Sequence, residues 1–236
     1  MAVAGHVNST QLSESLERLR QHEQPHDVAG ALETLVAAAE GVFGVSGAGL
    51  MVADADRVLR YVAATDSTAE VLEAAQEEHG TGPCVESLVL DVLVETSDLR
   101  TDARWPGLLA DYPDVRLGAV LGVPVHVAGV AVGSLNVYRR DPFEWDQSDQ
   151  EALMAYADLG ESVLAGAVHS HQQSRIVEQL ESALESRVAV ERAVGVIMER
   201  HGLDAVDAFD RLRRAARSSR RRVRDLAREI LDGGQI

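Results

Sequence analysis

Lysine is absent from this 236-residue chain, so every basic side chain other than histidine is an arginine. That absence excludes a P-loop, Schiff-base chemistry and any phosphate-receiver site that pairs an acceptor aspartate with a lysine. Cysteine occurs once, as Cys84, which excludes an internal disulfide and a multi-thiolate metal site and fits a reducing cytoplasm. Proline does not recur after Pro142, and from about Ser148 to His201 the pattern is helical with few breaks, up to about 80 Å if straight. The first ten residues have no basic start and no long apolar run, so no secretory signal is expected. Leu117–Tyr138 carries no charge beyond His126, yet its glycines, Pro124 and alternating valines read as a buried β-hairpin turning near Ala128-Gly129 rather than a membrane span.

Charge is unevenly spread. Residues 175–236 carry 13 Arg against 11 Asp+Glu, or +2, while residues 1–174 carry 9 against 27, or −18, giving the net −16. With 46% hydrophobic and 25% charged residues the chain can bury a core, and the charge split favours two domains over one. Eight arginines fall between Arg211 and Arg224 with no acid among them, and such a run calls for a polyanion or an acidic surface opposite it.

That run lies in Leu184–Ile230, which reads as three short helices. Gly202 closes the first and Asp204 caps the second, in which Ala205, Ala208, Phe209, Leu212, Ala215 and Ala216 share a face. Ser218-Ser219 offers a second cap, and Val223, Leu226, Ala227, Ile230 and Leu231 form a third apolar stripe. Each stripe is too narrow to stand alone, so the three pack as one bundle. Ala183-Leu-x-Ser-Arg187, Glu191-x-Ala193-x-Gly195-x-Ile197-Met198-Glu199-Arg200, Ala208-Phe209-x-x-Leu212-Arg213, Ala216-Arg217 and Asp225-Leu226-Ala227 resemble the ANTAR domain, a three-helix RNA-binding module of bacterial antitermination regulators. Arg192 and Val194 stand where that family usually has Gln and Lys, and Arg220 where it often has Asn.

Upstream, residues 1–26 read as a polar arm or helix with Leu12, Leu16 and Leu19 on one side. Asp27 caps a helix ending at Gly44, strands follow at Ala48–Ala53 and Val58–Ala63, and Thr65–Gly80 is helical. Thr81-Gly-Pro-Cys84 opens a short helix, Val92–Thr96 is a strand, and Arg104-Trp105-Pro106 starts a helix to about Tyr112. This order, with Gly82-Pro83-Cys84, Asp98-Leu99, Arg104-Trp105-Pro106, Val123-Pro124-Val125 and Gly133-Ser-Leu135-Asn136-Val-Tyr138, resembles a GAF domain in the combination seen in actinobacterial GAF–ANTAR regulators. The expected fold is an α+β GAF domain, an antiparallel sheet with packed helices, over residues 27–168. A helical linker follows at 169–190 and an all-α ANTAR bundle at 184–236.

The residues assign few chemical roles. His22/His26 and His169/His171 are the only close histidine pairs, and neither adjoins a cysteine or a tight carboxylate set, so no metal site and no enzyme are expected. Cys84, after Gly-Pro, reads either as a thiolate for redox sensing or ligand attachment or, more simply, as a small core residue. The GAF resemblance implies a small-molecule pocket; Met51, Tyr61, Cys84, Leu88 and Val94 are its candidate lining, or else plain core. Val177, Leu180, Leu184 and Val188 form a seam suited to a two-stranded coiled coil and hence a homodimer.

The RNA-binding residues expected are Arg213, Arg214, Arg217, Arg220, Arg221, Arg222 and Arg224, since arginine both pairs with phosphate and stacks on unpaired bases. The reading is an RNA-binding antitermination regulator whose bundles grip RNA stem-loops under control of a GAF ligand or a regulatory protein. Its rivals are a DNA-binding transcription factor and a ligand sensor whose arginine-rich tail docks on its own acidic GAF surface or on a protein.

Overall fold

The computed structural model describes residues 5–21, 27–54, 56–169 and 175–234. Helices α1 (Ser9–Gln21) and α2 (Val28–Phe43) precede strands β1 (Gly47–Ala53) and β2 (Leu59–Ala64). Helices α3 (Thr68–His79) and α4 (Pro83–Leu90), the short strand β3 (Val94–Thr96) and the hairpin β4 (Val120–Val127) and β5 (Val130–Tyr138) follow. Helices α5 (Gln147–His169), α6 (Arg175–His201), α7 (Ala205–Ser218) and α8 (Val223–Leu231) complete the described chain. The sheet is antiparallel in the order β2-β1-β5-β4-β3.

Local chemistry sets these elements. The Asp27 carboxylate accepts the Ala29 N–H at 3.1 Å, capping α2. Ala128 and Gly129 both adopt positive φ, 53° and 73°, the pair that a tight hairpin turn needs to match the twist of β4 and β5. In β1 the side chains alternate between two cores: Leu50 and Val52 face α2 and α5, and Met51 and Ala53 face α3 and α4. The first core gathers Leu32, Leu35, Val36, Leu121, Leu135, Leu153 and Tyr156, and α1 lies over it with Leu16 buried and Ser15 accepting the Tyr156 hydroxyl at 2.7 Å. The third core joins Val190, Ala193 and Ile197 of α6 to Phe209, Leu212, Val223, Leu226 and Ile230.

Three expectations change, and one falls outside the described residues. Residues 104–112 form successive turns rather than a helix; the bonds are short-range, such as Ala110 N–H to the Gly107 carbonyl at 2.8 Å, because Gly107 at φ 77° and Pro106 break helical continuity. Residues 170–174 lie outside the described residues, as do His22, His26 and His171, so the histidine pairs and the continuity of the long helix are not described. The seam on α6 is largely covered within the chain: Val177 and Leu180 are buried in the sheet's first core, Leu184 packs against it, and Gln179 donates to the Val52 carbonyl at 2.6 Å. Val188 alone of that seam stays exposed, at 54%. Finally, Ser218 and Ser219 do not cap α8; their hydroxyls donate backwards to the carbonyls of Ala215 and Ala216 and finish α7.

Candidate nucleic-acid interface

Helix α7 ends in a tight corner. Its closing bonds run from the Arg221 N–H to the Ala216 carbonyl at 2.9 Å and from the Arg220 N–H to the Arg217 carbonyl at 3.1 Å, with Arg220 left-handed at φ 54° between them. This corner turns Arg220, Arg221 and Arg222 outward just before α8, and Arg214 and Arg217 are exposed on the last turns of α7. Arg214 pairs with Asp210 at 2.9 Å but keeps 71% of its side chain in solvent, and Arg221 reaches Glu229 on α8. Surface pairs of this kind hold little free energy and yield readily to a stronger anion.

Arg213 and Arg224 depart from the expected set. Arg224 is half-buried, with its Nε 3.8 Å from the Asp225 carboxylate. Arg213 is only 6% exposed; it follows Phe209 by one helical turn and precedes Ala216 by another, so it shares the apolar face and points toward the GAF domain. Burial lowers the pKa of its guanidinium, while Asp210, Glu77 and Asp54 favour the charge. Its guanidinium carbon also stands 5.8 Å from the Phe209 ring centre.

The arginine bundle therefore meets an acidic edge. The Asp56 carboxylate, in the turn between β1 and β2, accepts the Val223 N–H at 2.9 Å, and Arg217 donates to the Glu77 carbonyl at 3.2 Å. Arg60 holds that edge together, bonding Glu73 and Glu77, which lowers the Glu77 pKa. Arg57, beside Asp56, is 6% exposed with φ 60°, and burial pulls its pKa down to about 10. Gly80, at φ 71°, ends α3 against α7, where a Cβ would stand 1.8 Å from an Asp210 oxygen. In the sequence, Asp54-Ala-Asp56-Arg57 reads as a charged turn joining two strands, and nothing in its pattern discloses that it reaches α8.

The five residues expected to line a GAF pocket do come together between the sheet and helices α3 and α4. Met51, Cys84, Leu88 and Val94 are buried there, and Tyr61 packs against them. Tyr61 donates to Asn136 Oδ1 at 3.3 Å, and the Cys84 N–H donates to Gln76 Oε1 at 2.8 Å. Burial pushes the Cys84 thiol up to about 11, which opposes a thiolate role. Sequence reasoning missed the polar members: the Ser87 hydroxyl and Asn136 Nδ2 are buried with no hydrogen-bond partner among the described residues, and the buried Ser134 hydroxyl sits beside the Cys84 thiol. Such groups are costly to leave unsatisfied, and a polar ligand would satisfy them. A separate cluster, His6, Asp146 and Asp149, is a fastening: buried Asp149 accepts the Val7 N–H at 3.0 Å and pairs with His6 at 2.7 Å, tying down the N-terminal arm.

Comparison with protein families finds the GAF domain over residues 27–164, more than half of the chain, and the ANTAR domain over residues 178–231. Comparison with curated proteins finds no match. Among solved structures, the GAF domain of an Acinetobacter phosphoenolpyruvate-protein phosphotransferase is similar at TM-score 0.53 and 14% identity, covering 70% of this chain and 98% of that one. The free methionine-R-sulfoxide reductase of Neisseria meningitidis, in complex with its substrate, is similar at TM-score 0.53 and 14% identity, covering 73% and 100%. At these identities the likeness establishes the fold. No helix among the described residues is long and apolar enough to cross a membrane.

Proposed function

From the chain's membership of the GAF domain family, with an ANTAR domain following its GAF domain, we propose that it is an RNA-binding transcription antitermination regulator. One observation carries the reading: Arg214, Arg217, Arg220, Arg221 and Arg222 are exposed around a single helical corner of an otherwise acidic chain. Phosphate contacts from such a cluster supply affinity, and planar guanidinium groups stack on the unpaired bases of a loop. RNA held at this corner favours a fold of the nascent transcript in which a downstream terminator does not form. The GAF domain acts as the sensor, through a polar small molecule at the Ser87, Ser134 and Asn136 cluster or through a regulatory protein. The one cysteine is buried and its thiol pKa is raised, which supports a regulator over a thiol-based reductase.

Dimerisation belongs to the same reading. The outward side of α6 presents Val188, Arg192, Gly195 and Glu199, and a second copy laid along it would pair two bundles for two stem-loops. Sedimentation or light scattering of wild type and Val188→Glu tests this; a monomeric wild-type protein removes it.

The decisive experiment is fluorescence anisotropy of the full-length protein with a tandem stem-loop RNA, the same RNA scrambled, and duplex DNA across a salt series. Stem-loop-selective binding that falls when Arg221 and Arg222 become Ala supports the reading. Preference for the duplex selects a DNA-binding factor. Equal weak binding to all three with a steep salt slope leaves only charge attraction. The rival in which the basic tail docks on its own GAF surface is favoured by the Asp56–Val223 and Arg217–Glu77 contacts.

A further inference from the structure

We propose that the β1–β2 turn of the GAF domain is a latch, with the Asp56 carboxylate occupying the α8 N-terminus that an RNA phosphate takes when the protein binds RNA. The inference rests on the RNA-binding reading above and names its regulation.

Helix α8 supplies no side-chain cap of its own: the acid of its first turn, Asp225, lies 3.8 Å from the Arg224 Nε. Arg222 occupies the capping position and makes no side-chain cap, and its carbonyl already accepts the Asp225 and Leu226 N–H groups, so the Val223 N–H needs an acceptor from outside the helix, beside the exposed Arg220, Arg221 and Arg222. A carboxylate from 167 residues away fills that place: Asp56 Oδ1 accepts the Val223 N–H. Backbone N–H groups at a helix start, flanked by arginines, are also what binds phosphate. Asp56 thus stands as an internal phosphate mimic on the face that RNA needs.

The contact is reciprocal. Arg217, in the last turn of α7, donates to the Glu77 carbonyl, one of the carbonyls left free where α3 ends. The GAF domain caps a helix start in the ANTAR domain, and the ANTAR domain caps a helix end in the GAF domain. Both contacts engage groups of the arginine corner, and Arg213 is buried between them and the Asp54, Glu77 and Asp210 charges. The closed arrangement is poised rather than locked, because Arg213 Nη2 and Arg57 Nε are buried without a hydrogen-bond partner among the described residues.

The turn is built to be moved from inside the GAF domain. Asp54, not Asp56, holds its shape, accepting the N–H groups of Asp56 at 2.9 Å and Val58 at 3.0 Å. The strands that end in this turn carry Met51 and Tyr61, paired with each other in register beside the buried polar cluster. A molecule that reorders that cluster therefore acts on the two strands that carry Asp56.

The test compares full-length wild type, Asp56→Ala and Asp56→Asn, reading affinity for the tandem stem-loop RNA together with hydrogen exchange at residues 223–226. Because Asp54 keeps the turn, neither variant should disturb the GAF fold, and unchanged exchange in the sheet checks this. Loss of a cap raises the open fraction, and apparent affinity follows it, so Asp56→Ala should bind RNA about five-fold tighter. Asp56→Asn, which keeps an acceptor but loses the charge, should fall between, and added RNA should change exchange at 223–226 in the wild type. Equal affinity of wild type and Asp56→Ala overturns the latch while leaving the RNA reading intact. Absence of stem-loop binding by all three overturns both, and faster exchange at 223–226 in Asp56→Ala would then show an interdomain cap that serves something other than RNA.

Discussion

Gly133 of β5 lies so close to Met51 of β1 that a Cβ built on it would stand 2.0 Å from the Met51 carbonyl oxygen. The obstacle is backbone, which cannot swing aside as a side chain can, and β1 and β5 are hydrogen-bonded neighbours at the centre of the sheet. Gly133→Ala should therefore destabilise the GAF domain by about 3 kcal/mol or more, at the upper end of overpacking costs. Urea unfolding followed by circular dichroism checks this; a loss below about 1 kcal/mol would mean that the strands separate at little cost.

Much of this architecture was legible in the sequence because its signals are local. The Asp27 cap, the Ala128-Gly129 turn and the alternation through Leu50, Met51 and Val52 each depend on neighbours within a few residues. The three apolar stripes of the bundle were legible for the same reason. What escaped was nonlocal. The Val177/Leu180 seam looks alike whether it meets a second copy or the chain's own sheet, and only the fold decides. Arg213 is a middle case: its spacing from Phe209 and Ala216 puts it on the buried face, but its charge argued the other way and its acidic partners come from the GAF domain. The cap of α8 could not be read at all, since Ser218-Ser219 offered plausible local acceptors and the true acceptor is Asp56.

Cys84 should behave as core. Its side chain is fully buried and its thiol is raised to about 11, so at pH 8 only about one thiol in a thousand would be ionised even if it were reached. Native protein should resist iodoacetamide or a disulfide reagent over hours, and denatured protein should react at once with one equivalent. Rapid labelling of the native state would restore the redox or ligand-attachment role.

The N-terminal fastening should weaken as pH rises. The hydrogen bond to Asp149 raises the His6 pKa above its ordinary 6.5, partly opposed by desolvation and by Arg139. A folded-state value above the unfolded one gives stabilisation that is complete below 6.5 and lost as pH climbs through the raised value. The effect is small because His6 keeps 45% of its side chain in solvent. The gap in melting temperature between wild type and His6→Ala should be widest on the acid side of 6.5 and close as pH rises through the raised value. A gap that widens with pH would mean the histidine is held neutral by packing, against Phe143 for example, instead of by charge.

Arg220 carries a conflict between stability and function that one substitution can expose. It holds φ 54° at the position after the α7 cap, where glycine or asparagine is usual, because the bonds from Arg220 and Arg221 back to Arg217 and Ala216 close only with a left-handed residue between helix and corner. A β-carbon there costs about 1 kcal/mol relative to glycine, which reaches the same conformation without penalty. Arg220→Gly should accordingly stabilise the protein by about 0.5–1 kcal/mol in urea unfolding, less whatever glycine adds to the entropy of the unfolded chain. If the exposed side chain also meets phosphate, the same variant should bind stem-loop RNA less tightly and flatten the salt dependence by about one counterion. Stability gained with affinity lost would mark Arg220 as a residue kept for its charge against the preference of its backbone. Stability gained with affinity and salt slope unchanged would remove it from the binding face and leave Arg221 and Arg222 as the corner's working pair.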